Sequence, residues 1–397
     1  MAPKPKSVTA KALQALLTRI GTASSGTKAT LQDRFAQDLR RSRLVLHRPE
    51  WEDLRPRGRK LRMISIDMGI KNLAFCDAEI SYPRKDSLDA TMEVLRWEKI
   101  DLLSAKLDPQ REDTVDMDEY TDPYSSTSLS KTAYWLVKDT ILARAPDIIL
   151  IEKQRWRSGS GSAIQQWTLR VNTLEGMLWA VLQTLYVEGK NENSSSVGSK
   201  RKNNYEVFAV DPKRVGQYWL AQYAGRLANS KASTAGSTTR TNEGVEEQEN
   251  EATPKKKPSR TKAEKKVRIA LLRSWLTSTP PSTAPTTHPT TPKISFKISE
   301  NAASTLQSLV SPSKPTRRKK GTETVTEGVV AADEIGDTEI KKLDDITECF
   351  LQAAAWVSWE SNRLQLLRVH DTKRGDGTEL ELDDETMLEM VNEVGEG

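Results

Sequence analysis

The chain has 397 residues, 29% of them charged, yet a formal net charge of only +5, so the placement of charge matters more than its sum. Its two cysteines, Cys76 and Cys349, sit far apart in apolar segments, and its three histidines, His47, His288 and His370, sit in polar ones. This excludes a disulfide scaffold, a zinc knuckle and histidine-based nucleophile chemistry, so any metal would be held by carboxylates. No apolar run approaches the ~20 residues that cross a bilayer, and the expectation is a soluble protein with no membrane partner and no small-molecule cofactor.

Residues 7–43 read as two short amphipathic helices. Ala10, Leu13, Leu16, Leu17 and Ile20 fall at helical spacing, Gly21 stops the run, and Leu31 and Phe35 mark the second helix. The joining loop is Ser24-Ser25-Gly26-Thr27-Lys28. The Gly-Thr-Lys step resembles a SAP module, a small helical DNA binder, which makes Lys28 a DNA-contact candidate; a hairpin that only docks on the main domain is the alternative. The first acidic residue is Asp33, after Lys4, Lys6, Lys11 and Arg19 among Ser, Thr and Ala, as in organelle presequences. The same residues serve the hairpin, so targeting stays open. Residues 44–62 form a basic linker; with Arg40, Arg41 and Arg43 just before it, Arg55, Arg57, Arg59, Lys60 and Arg62 suit either a polyanion or solvent.

From Met63 the run Met-Ile-Ser-Ile-Asp-Met-Gly-Ile-Lys-Asn-Leu-Ala-Phe-Cys is β-rich, and further strands are expected around Glu79 and over Val94 to Ile100. A helix through Tyr134, Leu136, Val137, Ile141 and Leu142 ends at Pro146, before an apolar strand from Asp147 to Glu152. Ile164 to Tyr186 is a long helix with Leu169, Thr173, Leu174, Met177, Leu178 and Val181 facing the core. A strand over Tyr205 to Val210 precedes a helix opened by Asp211-Pro212 and carrying Val215, Tyr218 and Trp219. Residues 188–204, 225–262 and 277–340 are low in large apolar side chains and read as disordered insertions, with a short helix near Ala302 to Leu309. Between the last two lies a basic amphipathic helix, Lys262 to Leu276. A final helix, Leu343 to Leu367, packs on the core, and 368–397 is an acidic tail. A meander followed by alternating strands and helices describes an α/β domain over 63–367, a mixed sheet flanked by helices, in the order of a ribonuclease-H-like fold.

Acids stand where the pattern calls for apolar residues. Asp67 sits inside the first strand, where an uncompensated carboxylate is costly. Glu152 ends Ile148-Ile149-Leu150-Ile151, at the strand edge where ligands of open α/β sheets gather. Asp344, Asp345 and Glu348 open the last helix at spacings that share a face. Such a set calls for magnesium or manganese, and two ions can drive phosphodiester hydrolysis. Taken singly, Asp344 and Asp345 also suit a helix start, and Glu152 also suits pairing with Lys153 or Arg155. After Glu152, the segment Lys153-Gln154-Arg155-Trp156-Arg157-Ser158 interleaves cations with an aromatic before glycines, as DNA contact requires; a polar loop is its alternative. Lys213 and Arg214 form a second basic pair, which a surface helix start would also explain.

The motifs Ser65-Ile66-Asp67-Met68-Gly69-Ile70-Lys71-Asn72-Leu73-Ala74, Ile151 to Ser158, Leu169-Arg170-Val171 and Lys342-Leu343-Asp344-Asp345 resemble the fungal mitochondrial Holliday junction resolvases. The resemblance implies a mitochondrial homodimer, with nuclear residence the alternative, that nicks four-way junction DNA in symmetric pairs using magnesium. It implies metal and catalytic roles for Asp67, Glu152, Asp344, Asp345 and Glu348, and counts Lys71 and Arg170 among the DNA contacts. The family pattern has aspartate where this chain has Glu348, which shifts weight to Asp345. Two other readings compete: a catalytically inactive RNA-binding cofactor of group I intron splicing with the same fold, and a SAP-type DNA anchor whose α/β body is structural.

Overall fold

A computed structural model describes residues 7–44, 60–83, 87–104, 122–154, 166–192, 205–222, 260–277, 293–311, 337–375 and 382–395. Its centre is a sheet of β1 (Leu61–Asp67), β2 (Leu73–Ser81), β3 (Ala90–Ile100), β4 (Ile148–Glu152), β5 (Glu206–Val210) and β6 (Ile294–Ile298) in the order β5-β4-β1-β2-β3-β6. The β1, β2 and β3 strands form an antiparallel meander, while β4 pairs parallel with β1 and β5 parallel with β4. That is the ribonuclease-H-like mixed sheet the residue pattern predicts.

Alternation along the strands assigns the two faces. Ile64, Ile66, Ile149 and Ile151 pack with α3 (Ser126–Trp135) and α4 (Gln166–Glu192). Met63, Ile148 and Leu150 face the other way, toward α6 (Arg260–Thr277), the helix over 212–222, here α5, and α8 (Asp337–Arg374). Cys349 to Val357 of α8 are buried on every side, which an apolar run broken only by Gln352 permits. Ala353, Ala354 and Ala355 let neighbours approach closely, and Trp219 of α5 donates its indole N–H to the Leu351 carbonyl at 3.0 Å.

Several features differ from the sequence-based expectation. The α4 helix runs on to Glu192, inside the expected insertion 188–204, and α8 begins at Asp337 rather than Leu343, so Asp344, Asp345 and Glu348 lie within the helix instead of opening it. Residues 277–340 are not an insertion throughout, because β6 extends the sheet beside β3 and α7 (Ala303–Val310) buries Leu309. The β6 pattern alternates half-buried and exposed side chains, so its composition resembles that of a linker. The acidic stretch 368–397 carries α9 (Asp384–Gly395), which buries Met387 and Met390. Leu169 is 49% exposed rather than turned to the core. Among the described residues no helix is long and apolar enough to cross a membrane.

The N-terminal hairpin consists of α1 (Ala10–Arg19) and α2 (Lys28–Arg40), capped by the Thr9 and Thr27 hydroxyls. It shares a core with Leu366 of α8 and with α9. Arg43 locks it down: the guanidinium donates to the Ile20 carbonyl at 2.7 Å and lies over the Trp356 and Trp359 rings at 5.1 and 5.6 Å. Arg62 is also structural, gripping buried Asp77 through two hydrogen bonds of 2.9 and 2.7 Å. Two of the clustered arginines therefore build the fold.

Gly21 has φ +69°, and a Cβ there would meet the Trp359 ring at 2.0 Å. Gly21→Ala is expected to lower stability by about 1–3 kcal/mol, as overpacking does, read as a lower denaturant midpoint, and to speed cleavage of the hairpin in limited proteolysis. An unchanged midpoint would mean the hairpin does not depend on this contact.

Candidate active site

The β1 and β4 strands run parallel in a register that pairs Ile66 with Ile151, so Asp67 and Glu152 are neighbours at the same end of the sheet. Strand alternation turns both toward α8. Asp67 is 9% exposed, and its carboxyl hydrogen-bonds to Glu152. Burial pushes the Asp67 carboxyl well above the usual carboxylate range, and repulsion from Glu152, Glu348 and Asp345 adds to the shift. Two carboxyl groups can share a hydrogen bond only when one is protonated, so a divalent cation would take the place of that proton.

The acids of α8 meet cations from two other elements. Lys265 of α6 pairs with Asp344, Lys99 of β3 with Asp345 at 2.6 Å, and Arg268 of α6 with Glu348 at 2.5 Å. Burial raises the Glu348 carboxyl to about 7 against the opposing pull of Arg268. It also raises Asp345 against Lys99. All five carboxylates line one cleft of about 780 Å³, together with Lys265, Arg268, Gln154, Lys213 and Trp167. A cavity of about 840 Å³ between α2 and the β5 edge has Glu206 as the sole acid in its lining, which leaves the chemistry in the former.

Gln352 holds the parts in register. Its amide, buried in the middle of α8, donates to the Ser65 hydroxyl at 3.0 Å and lies 3.3 and 3.5 Å from the carbonyls of Ile66 and Leu150. One side chain thus ties the helix one turn beyond Glu348 to the strands that carry Asp67 and Glu152.

The candidate DNA contacts are dispersed. Gln154 and Lys213 line the cleft, and the Gln154 N–H donates to Glu175 at 3.2 Å. The Lys153 N–H donates to the Val210 carbonyl at 2.8 Å while its side chain is exposed. Arg170 covers the Tyr124 ring at 4.0 Å, Lys28 donates to the Ser7 hydroxyl, and exposed Lys71 neighbours Asp101. Arg214 lies near enough to Arg43 to repel it. None of these five side chains lines the cleft. Arg155, Arg157 and Ser158 lie outside the described residues.

Among the described residues, no three acidic, histidine or cysteine side chains already converge on a single ion's position, since the α8 acids turn to Lys265, Lys99 and Arg268. The donors nevertheless suit a hard cation: they are carboxylate oxygens, and Asp67 lies close enough to Glu152, Glu348 and Asp345 to be repelled by each. Sequence reasoning passed over Lys265, Arg268, Lys99 and Gln352. The basic amphipathic character of α6 was the available signal for the first two; nothing in the sequence marked the others.

A family model described as mitochondrial resolvase Ydc2/RNA splicing MRS1 matches residues 63–366. Two relatives are named cruciform cutting endonuclease 1, mitochondrial. The one from Schizosaccharomyces pombe is 29% identical over 179 residues, 45% of this chain and 58% of the relative. The one from Saccharomyces cerevisiae is 28% identical over 160 residues, 40% of each. The chain thus spans well under two thirds of either relative's length. A crystal structure of the yeast mitochondrial Holliday junction resolvase Ydc2 superposes with a TM-score of 0.47 at 20% identity, covering 92% of this chain and 98% of that one.

Because burial raises the Asp67 carboxyl in the folded state, the unfolded chain binds fewer protons above about pH 4, and stability falls as pH rises from there. Without divalent cations, Asp67→Asn is expected to melt above the parent at pH 8, with the difference closing toward pH 4. Equal melting at pH 8 would mean that the carboxylate is already compensated. Gln352→Leu strands buried acceptors, and a loss of about 1–3 kcal/mol in chemical denaturation is expected.

Proposed function

The chain belongs to the mitochondrial resolvase Ydc2/RNA splicing MRS1 family, and from that membership we propose that it is a structure-selective endonuclease resolving four-way (Holliday) DNA junctions in mitochondria. The reading extends to this chain what the names of the two relatives say of them. One observation carries it: six carboxylates, Asp67, Glu152, Asp344, Asp345 and Glu348 with Glu264 of α6, line a single cleft that also presents Lys265 and Arg268. A protein that only holds nucleic acid gains nothing from clustered negative charge beside phosphates, whereas hydrolysis needs such a cluster.

Magnesium or manganese is the cofactor this reading assigns, with Asp67, Glu152, Asp344, Asp345 and Glu348 as the residues that would hold two ions. The chemistry supplied is Lewis-acid activation of water and neutralisation of charge building on the phosphodiester. The rest falls to the chain's own side chains. Arg268 lines the cleft with Nη1 on Glu348, and its fixed positive charge there suits it to offset charge developing on a phosphate oxygen. Lys265 and Lys213 draw the backbone into the cleft, and Gln154 contacts it at the rim. A homodimer, with one such centre per subunit, accounts for paired symmetric nicks.

The test is a nicking assay on a synthetic four-way junction with magnesium titrated in, beside linear duplex and structured RNA. Paired symmetric nicks in the junction alone are expected. Asp67→Asn should lose nicking while binding the junction nearly as the parent does, and Arg268→Ala should slow nicking by about 10²-fold, the scale of losing one transition-state donor. Preferential RNA binding with no nicking at any magnesium concentration would place the chain with the splicing branch. Loss of junction binding in Asp67→Asn would give that residue a structural role.

A further inference from the structure

Among the described residues, the large hydrophobic side chains most open to solvent are Trp167, Leu169 and Val187, at 41%, 49% and 43%. Of these, only Trp167 lines the cleft that holds the carboxylates. Its indole meets Tyr124 edge to face, with ring centres 6.0 Å apart and planes at 75°. Arg170, one turn further along α4, lies 4.0 Å from the centre of the Tyr124 ring. Tyr124 is therefore clamped between a cation on its face and an indole, an arrangement that fixes Trp167 in place without covering it. An indole left open at the border of an acidic cleft is not explained by packing.

We propose that Trp167, braced by Tyr124 and Arg170, is a stacking platform for a nucleobase extruded at the branch point of the junction; this rests on the reading of the cleft as a junction nuclease. The occupant follows from the surroundings. It must be flat and apolar enough to replace water on the indole, and neutral enough to sit beside six carboxylates. It must also arrive attached to a phosphate for Arg268 and Lys265. A nucleobase meets all three conditions, and base–aromatic stacking tolerates any of the four bases. Bases at a branch point lack the continuous stacking of a linear duplex, so extruding one there costs least. The platform would thereby favour a junction over a duplex before any bond is cut.

The experiment uses the full chain without divalent cations, so that nothing is nicked, and junctions carrying 2-aminopurine either at the branch point or in mid-arm. The parent should change emission only at the branch point. Trp167→Ala and Trp167→Leu, the latter keeping apolar bulk without an aromatic face, should both lose that change and bind the junction about ten- to a hundredfold more weakly, with duplex binding unaltered. Trp167→Phe should retain most of both. A junction-selective parent whose alanine and leucine variants match it in affinity and emission overturns the assignment alone. Variants that lose affinity because a dimer dissociates in sedimentation overturn it in favour of a subunit contact. A parent with no preference for the junction overturns both the platform and the nuclease reading.

Discussion

Desolvation of Asp67 governs much of this architecture. A carboxylate at the end of a buried strand is costly to ionise, and a second one, Glu152, hydrogen-bonds to it instead of relieving it. The α8 acids add more negative charge to the same cleft. Such an arrangement is tolerable only where cations can approach, and α6 brings two of them, Lys265 and Arg268, while Lys99 arrives from β3. The α6 helix is both part of the core, through Ile269 and Leu272, and the electrostatic counterweight of the site.

These cations have two uses. In the resting protein they hold the α8 acids, which keeps like charges from driving the helix off the sheet. In the proposed reaction the acids would hold the metal, and Lys265 and Arg268 would offset charge on the phosphate.

The α8 helix makes the distant parts of the chain one body. Its first turns carry acids, its middle carries Gln352 and the alanines against the sheet, and its later turns carry Trp356 and Trp359 beneath Arg43. The N-terminal hairpin is seated on the far end of the helix whose acids line the cleft.

Much of this was legible in the residues. The β-rich run around Ser65, Ile66 and Asp67, the apolar run before Glu152, and helical spacing from Leu343 each mark an element and the odd acid in it, because an acid in an apolar pattern stands out locally. The β6 strand and α9 were missed, since their side chains are half-polar and only long-range partners make them a strand and a packed helix. Periodicity places Leu169 inward, but the buried stripe of α4 runs through Val171, Leu174, Leu178 and Leu182, and a residue two positions before Val171 sits about 200° around the helix from it. Sequence alone determined that five carboxylates interrupt the apolar patterns of two strands and a helix. Tertiary structure alone decided that they line one cleft, that Lys99, Lys265 and Arg268 offset them, and that Gln352 sets their register. Those facts depend on contacts between residues up to nearly three hundred positions apart, and no local pattern records which distant side chain a carboxylate will meet.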